Sequence, residues 1–384
     1  MQQKLKFIAV FMLLGVTVFA QDQYLTGKSE DVEKTYKSQK TYQVKEFTQN
    51  FKAEKPKNII FLIGDGMGVS QVFAGLTANK GRLFLENCKY IGFSKTQSAD
   101  DYITDSAAGG TALSSGVKTY NGAIGVDAQG LPVKTILEEA SEKGLATGLV
   151  SSSAITHATP ASFIAHQASR SSYEDIAADF LKTDIDVFIG GGLDHFTKRK
   201  DGRNLTDELK NKGYQIETEI DKIKKVKKGK LAGLTADVHN GRMSERRDML
   251  PVATETAIDI LSKDKEGFFL MVEGSQIDWG GHAESTIYVV EDMLDFDQVV
   301  GQALEFAAKD KETLVVVTAD HETGGMALTG GSMKDGIVQG AFPTGGHTAV
   351  MVPVFSYGPG AEEFIGIMEN TDIHAKMKKL LLGN

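Results

Sequence analysis

The sequence predicts an α/β protein: a central, mostly parallel sheet with helices on both faces. Three observations carry that expectation. Short, continuously apolar runs rich in β-branched and aromatic residues recur along the chain, as strands covered on both faces require. Stretches of helical spacing separate them, giving the β–α alternation of a parallel sheet. Carboxylates and imidazoles gather just after the strand runs, where open parallel sheets bind their ligands.

In chain order, the first element is a leader. Lys4 and Lys6 precede the apolar run Phe7–Ala20, which ends in Val18-Phe-Ala20, so residues 1–20 read as a secretory signal peptide. Export to the periplasm or the extracellular space follows. No cysteine after the cut would carry a lipid, and no other apolar segment is long enough to span a bilayer, so no membrane anchor is expected. Residues 21–57 are polar with scattered aromatics and read as an N-terminal arm, packed either loosely or on a partner subunit. Residues 58–384 read as a single α/β catalytic domain. Its strand candidates are Asn58–Ile63, Ala146–Val150, Val187–Ile189, Gly267–Val272, Thr313–Thr318 and Val352–Ser356. Its main helix candidates are Val133–Lys143, Ser172–Lys182, Met249–Lys263 and Thr286–Lys309. The stretch 197–248, with the lysine run Lys222–Lys230, reads as a charged surface insertion.

Composition narrows the function. The chain has 384 residues and a formal net charge of −9, and loss of the leader removes two lysines and no acid. Such an acidic protein is a poor non-specific nucleic-acid binder. The single cysteine, Cys88, cannot make an intrachain disulfide and reads as a small buried hydrophobe.

The chemistry follows from what lies beyond the strands. Ser106, in Thr104-Asp-Ser-Ala-Ala-Gly-Gly110, heads a run of very small residues. At a first helical turn it would face backbone N–H groups and the positive end of the helix dipole, a place suited to phosphate. A serine hydroxyl is a weak nucleophile until a base or a metal activates it, and no Ser/His/Asp triad is evident. The strand ends supply a metal alternative. Gly64-Asp65-Gly66-Met67-Gly68 follows the first strand, His157 and Thr159 the second, Glu273, Asp278 and His282 the fourth, and Asp320 and His321 the fifth, while His347 sits in a Gly-rich loop. Asp278 and His282, four apart, would share one helical face and grip one ion. Asp320 and His321 are adjacent at a strand exit and would aim at a second. Mixed Asp/His donors without thiolate suit catalytic zinc. The all-oxygen set Asp65, Thr159 and Glu273 suits magnesium. Arg170, eleven residues after Thr159 on the helix leaving the site, would grip two phosphoryl oxygens.

In these motifs taken together, the chain resembles the alkaline phosphatases from about Lys57 to its C-terminus. The motifs are Gly64-Asp-Gly-Met-Gly68, Thr104-Asp-Ser-Ala-Ala108, His157-Ala-Thr-Pro160 with Arg170, Val272–Asp278 with His282, Thr318-Ala-Asp-His321 and Gly346-His-Thr348. The resemblance implies Ser106 as the nucleophile that becomes phosphoserine. It implies one zinc on Asp278, His282 and His347, and a second on Asp65, Asp320 and His321 with the Ser106 oxygen. Magnesium would take Asp65, Thr159 and Glu273; Arg170 would hold phosphate, with Asp105 orienting it. Two positions vary within the family. His157 stands where many bacterial members have Asp, which opens the third site to zinc as well. Trp279 stands near the phosphate where many have Lys or His. The expected function is broad hydrolysis of small-molecule phosphate monoesters with an alkaline optimum, in a homodimer. The rivals are a phosphodiesterase, phosphonate hydrolase or sulfatase of the same two-metal architecture, and a non-catalytic metal- or phosphate-binding protein. A sulfatase would need a Cys- or Ser-x-Pro-x-Arg nucleophile, whereas Ala-Ala-Gly-Gly follows Ser106.

Overall fold

The computed structural model describes residues 31–51 and 53–383. The expected leader, residues 1–20, and the first part of the arm lie outside the described residues. Ten strands form the central sheet: β1 Asn58–Gly64, β2 Tyr90–Lys95, β3 Ala146–Ala154, β4 Val187–Gly191, β5 Gln215–Glu217, β6 Leu231–Leu234, β7 Phe268–Gly274, β8 Thr313–Thr318, β9 Val352–Tyr357 and β10 Gly366–Glu369. Their order across the sheet is β10-β2-β9-β8-β1-β7-β3-β4-β6-β5. Every pairing is parallel except those of β9, which runs against both β2 and β8. The α/β expectation therefore describes the architecture, with one reversed strand.

The central strand β1 shows why these runs fold as they do. All seven of its residues are buried. Ile60 and Leu62 enter the core on one face, and Ile59, Phe61 and Ile63 the core on the other, the period-two alternation of a strand covered twice. The first face is covered by the helices Val69–Ala78, Met249–Leu261 and Thr286–Asp310; the second by Ser106–Ser115, Ile136–Glu142, Tyr173–Asp179 and Asn370–Leu382. Because β1 lies between β7 and β8, its exit loop meets theirs.

Several elements depart from the reading of the sequence. The stretch 197–248 was expected as a surface insertion, yet β5 and β6 lie within it and extend the sheet. The lysines dominate its composition, whereas Leu231-Ala-Gly-Leu234 is fully buried against β4. Strand β2 has the interleaved burial of a half-covered strand, and β10 is short and at the edge, so neither presents a continuous apolar run. The described part of the arm packs on its own chain. Thr35–Lys37 pairs with Ile337–Ala341 in a small separate sheet, and the Tyr42 hydroxyl donates to Asp297 on the long helix at 2.6 Å. Phe51 meets Tyr357 edge-on. Among the described residues no helix is long and apolar enough to cross a membrane.

Candidate active site

The exits of β1, β3, β7 and β8 converge with the first turn of the helix Ser106–Ser115. That helix is buried along its whole length, which explains its composition. A Cβ on Gly109 would come within 3.1 Å of Asp320, and one on Gly110 equally close to Ser162. Only small residues let it slide between the loops that carry the ligands. Asp105 caps the helix, accepting from the Ala108 N–H at 2.9 Å, and its other oxygen accepts from the Gly122 N–H and from Arg170 at 3.0 Å each.

Three groups of side chains bring potential ligand atoms within 4.8 Å of one another: Asp278, His282 and His347; Asp65, Asp320 and His321; Asp65, His157 and Glu273. In the first, Asp278 and His282 lie on one face of the helix Gln276–His282, while His347 sits on a two-residue strand paired with Glu322–Thr323. His282 Nδ1 meets the Gly345 carbonyl at 2.6 Å, and His347 Nδ1 meets that of Thr104 at 2.9 Å. Carbonyls only accept, so both Nδ1 atoms carry the proton. The two Nε2 atoms then face each other at 3.1 Å beside Asp278. Two imidazole Nε2 atoms turned toward one another beside a carboxylate form the ligand set of a cation, which would take the place of the proton His282 holds. In the second group, His321 Nε2 lies 3.4 Å from Asp65, 3.5 Å from Asp320 and 3.2 Å from Ser106 Oγ. The expected nucleophile therefore borders the expected second ion. In the third, the Ser151 and Ser275 hydroxyls both donate to one oxygen of Glu273 at 2.6 Å. Its other oxygen, both Asp65 oxygens, one of Asp320 and the Thr159 hydroxyl are buried without a hydrogen bond. Buried polar atoms rarely stay unsatisfied, so these orphans fit divalent cations.

Arg170 stands in a turn rather than on the expected helix, which spans only Ala158–Ala161. Its backbone N–H donates to Gly122 at 2.7 Å, while the guanidinium reaches Asp105 and lies 3.2 Å from His157 Nε2. Trp279, between Asp278 and His282 in sequence, is largely buried with its ring edge-on to His157. Two groups were not singled out in the sequence. The Thr323 hydroxyl donates to Asp278 and lies 3.2 Å from His321 Nδ1, so it joins the first two groups; its signal was its place two residues after His321. Ser151, opposite Glu273 on the neighbouring strand β3, and Ser275, just after β7, bracket it.

The electrostatics follow from crowding carboxylates in a dry site. Burial, then Asp320, Asp278 and Glu273, push Asp65 well above the usual carboxylate range. Burial, then Asp278 and Glu273, push Asp320 up to about 8. Burial opposes ionisation of Asp278 too, but His282 and His347 hold it well below that range. His282 is raised to about 9: burial lowers it, and Asp278 more than offsets that. Burial pushes His321 and His347 down, leaving them neutral and ready to ligate.

Comparison with known proteins finds relatives over most of the chain. The alkaline phosphatase family model matches residues 56–340. Alkaline phosphatase 3 of Bacillus subtilis is 39% identical over 415 residues, covering 85% of this chain and 89% of the relative. The structure of alkaline phosphatase from the Antarctic bacterium TAB5 matches with a TM-score of 0.81 at 44% identity, covering 85% of this chain and 98% of that one. A TAB5 variant with a histidine replaced by aspartate, with Mg bound in its M3 site, matches at a TM-score of 0.80, 45% identity and the same coverage.

The metal-free protein should lose stability between pH 7 and pH 9. In that window the unfolded chain has already released the protons of Asp320 and His282, whereas the folded chain keeps them to about 8 and about 9. The folded state thus binds more protons, and stability falls as pH rises, by roughly 3 to 4 kcal/mol. Thermal unfolding of chelator-treated protein checks this; a flat or rising Tm contradicts it.

Proposed function

The chain belongs to the alkaline phosphatase family, and on that premise we propose how its residues divide the hydrolysis of phosphate monoesters. The observation that carries the proposal is Ser106 Oγ placed beside the Asp65, Asp320 and His321 group, with Arg170 held by Asp105 next to it. Arg170 stays cationic, and its planar fork holds two phosphoryl oxygens while Asp105 fixes its direction. Ser106 Oγ attacks phosphorus in line; the bond to the alcohol oxygen breaks, and the alcohol leaves with a proton. Water then attacks phosphorus, the bond to Ser106 Oγ breaks, the serine regains its proton, and inorganic phosphate departs.

We assign zinc to Asp278, His282 and His347 and to Asp65, Asp320 and His321, and magnesium to Asp65, Thr159 and Glu273, with His157 admitting zinc there as well. When bound, these ions supply Lewis acidity that favours the serine alkoxide and neutralises the departing oxygen. Deprotonation of the serine gives an alkaline optimum. Arg170 favours the more highly charged terminal phosphoryl group of a monoester over a diester.

Ser106→Ala should lower turnover of an aryl monophosphate at least ~1000-fold while the fold survives, the scale seen when a nucleophile is removed. Circular dichroism and single-turnover kinetics check it, and substantial residual turnover refutes the covalent route. Trp279 offers no cation to phosphate, so Trp279→Lys should tighten inhibition by inorganic phosphate about tenfold, the scale of one added charge-assisted contact; an unchanged inhibition constant sinks that role. Export by the leader and a homodimer belong to the same proposal. Exposed Val69, Phe73, Tyr102, Ile103, Val350 and Met351, on segments flanking the site, support the dimer. N-terminal sequencing of the exported protein and its sedimentation mass test both, and a monomer beginning at Met1 contradicts them.

A further inference from the structure

One more histidine reaches this site, from the segment that the lysine run disguises. The loop after β6 is pinned on every side. Gly191 lets it come close, since a Cβ there would lie 2.5 Å from the Val238 carbonyl. The Thr235 hydroxyl donates to Asn240 at 2.9 Å, and Gln276, the first residue of the helix that carries Asp278 and His282, donates to the Asn240 carbonyl at 2.8 Å. Further along, Arg246 is buried between Asp292 and Asp295 of the long helix at 2.6 and 2.7 Å. Together these contacts hold His239 at the end of β3, where its Nδ1 accepts from the Ala154 N–H at 3.1 Å. A backbone N–H only donates, so this bond fixes both the tautomer and the direction of the ring.

The ring stands edge-on to two site residues at once. Its centroid lies 5.1 Å from Trp279 at 88° and 5.5 Å from His157 at 84°. Trp279 and His157 are themselves 5.9 Å apart at 86°. Three mutually perpendicular rings form a corner in which none can turn without losing two favourable edge contacts. His157 Nε2 in turn touches Arg170.

We propose that His239 is a positioning residue of this active site: it props the rings of His157 and Trp279, and through them sets the third metal group and the arginine that holds phosphate. The proposal rests on the assignment of His157 and Trp279 to the site. Its test does not depend on turnover, because Trp279 is the chain's single tryptophan and its fluorescence reports this corner alone.

Purified holoenzyme, His239→Ala and His239→Asn are compared; the asparagine keeps an acceptor for the Ala154 N–H and removes the ring, so it separates loss of the prop from loss of the loop. Both variants should change Trp279 emission. Both should also weaken magnesium binding, titrated through that emission and by metal analysis, about 2- to 10-fold, the scale of lost edge-to-face pairs. KM for an aryl monophosphate should rise more than kcat falls. His239→Phe, which restores a ring, should recover emission and magnesium affinity. If His239→Asn folds with parental emission and magnesium affinity, His239 is scaffold only and the proposal fails. Failure of the parent chain to hydrolyse the monophosphate would instead overturn the assignment of the site.

Discussion

Four buried carboxylates, Asp65, Glu273, Asp278 and Asp320, meet at one end of the central sheet, and the structure around them answers the cost of that meeting. Unpaired charge in a dry interior costs several kcal/mol per group. Within the protein alone, Asp278 finds relief in the imidazoles of His282 and His347, whereas burial and neighbouring carboxylates push both Asp65 and Asp320 above the usual carboxylate range. This asymmetry is the signature of a cation site: the same donors that repel one another become a ligand set once positive charge lies among them.

Such a cluster must be assembled by elements stiff enough to hold like charges together. The parallel strands do this by ending side by side. Hydrogen bonds from β1 to both β7 and β8 bring the loops bearing Asp65, Glu273 and Asp320 to one place. The helix Ser106–Ser115 is then inserted against Asp320 and Thr159, which its glycines permit and any larger residue would oppose. The Asp105 carboxylate does two jobs there, capping the helix that presents Ser106 and aiming Arg170.

The sequence made the core of this legible for a physical reason. Runs buried on both faces, such as Ile59–Ile63 and Val315–Val317, carry a strong apolar signal, and in a parallel sheet the position of a strand predicts the position of a ligand. Asp65, Glu273, Asp320 and His321 follow from that rule, and the i, i+4 spacing of Asp278 and His282 from helix geometry. Spacing also pairs Asp278 with His282 and Asp320 with His321, groups Asp65 with Thr159 and Glu273, and points to Arg170, whereas the third ligand of each zinc set and the place of Trp279 rest on the resemblance. Elements without a continuous apolar run stayed hidden: β2 alternates, β10 is a short edge, and β6 has four buried residues behind a lysine-rich stretch. The missed strand cost a missed residue, because His239 is visible as a site group only when Leu231–Leu234 is known to end beside β4.

The absence of a base paired with Ser106 follows from the same electrostatics. His321 Nε2 is the imidazole atom within reach of Ser106 Oγ, and it faces Asp65 and Asp320 as well. A general base must accept the serine proton and hold it as imidazolium. Burial and the nearby His347 push His321 well below its ordinary pKa, so it would hold that proton poorly. An imidazole that resists protonation is instead a good ligand, its lone pair free at neutral pH. Burial thus makes His321 unsuited to one role and suited to the other, which supports the proposed activation of the serine by the positive charge that the carboxylates around it require.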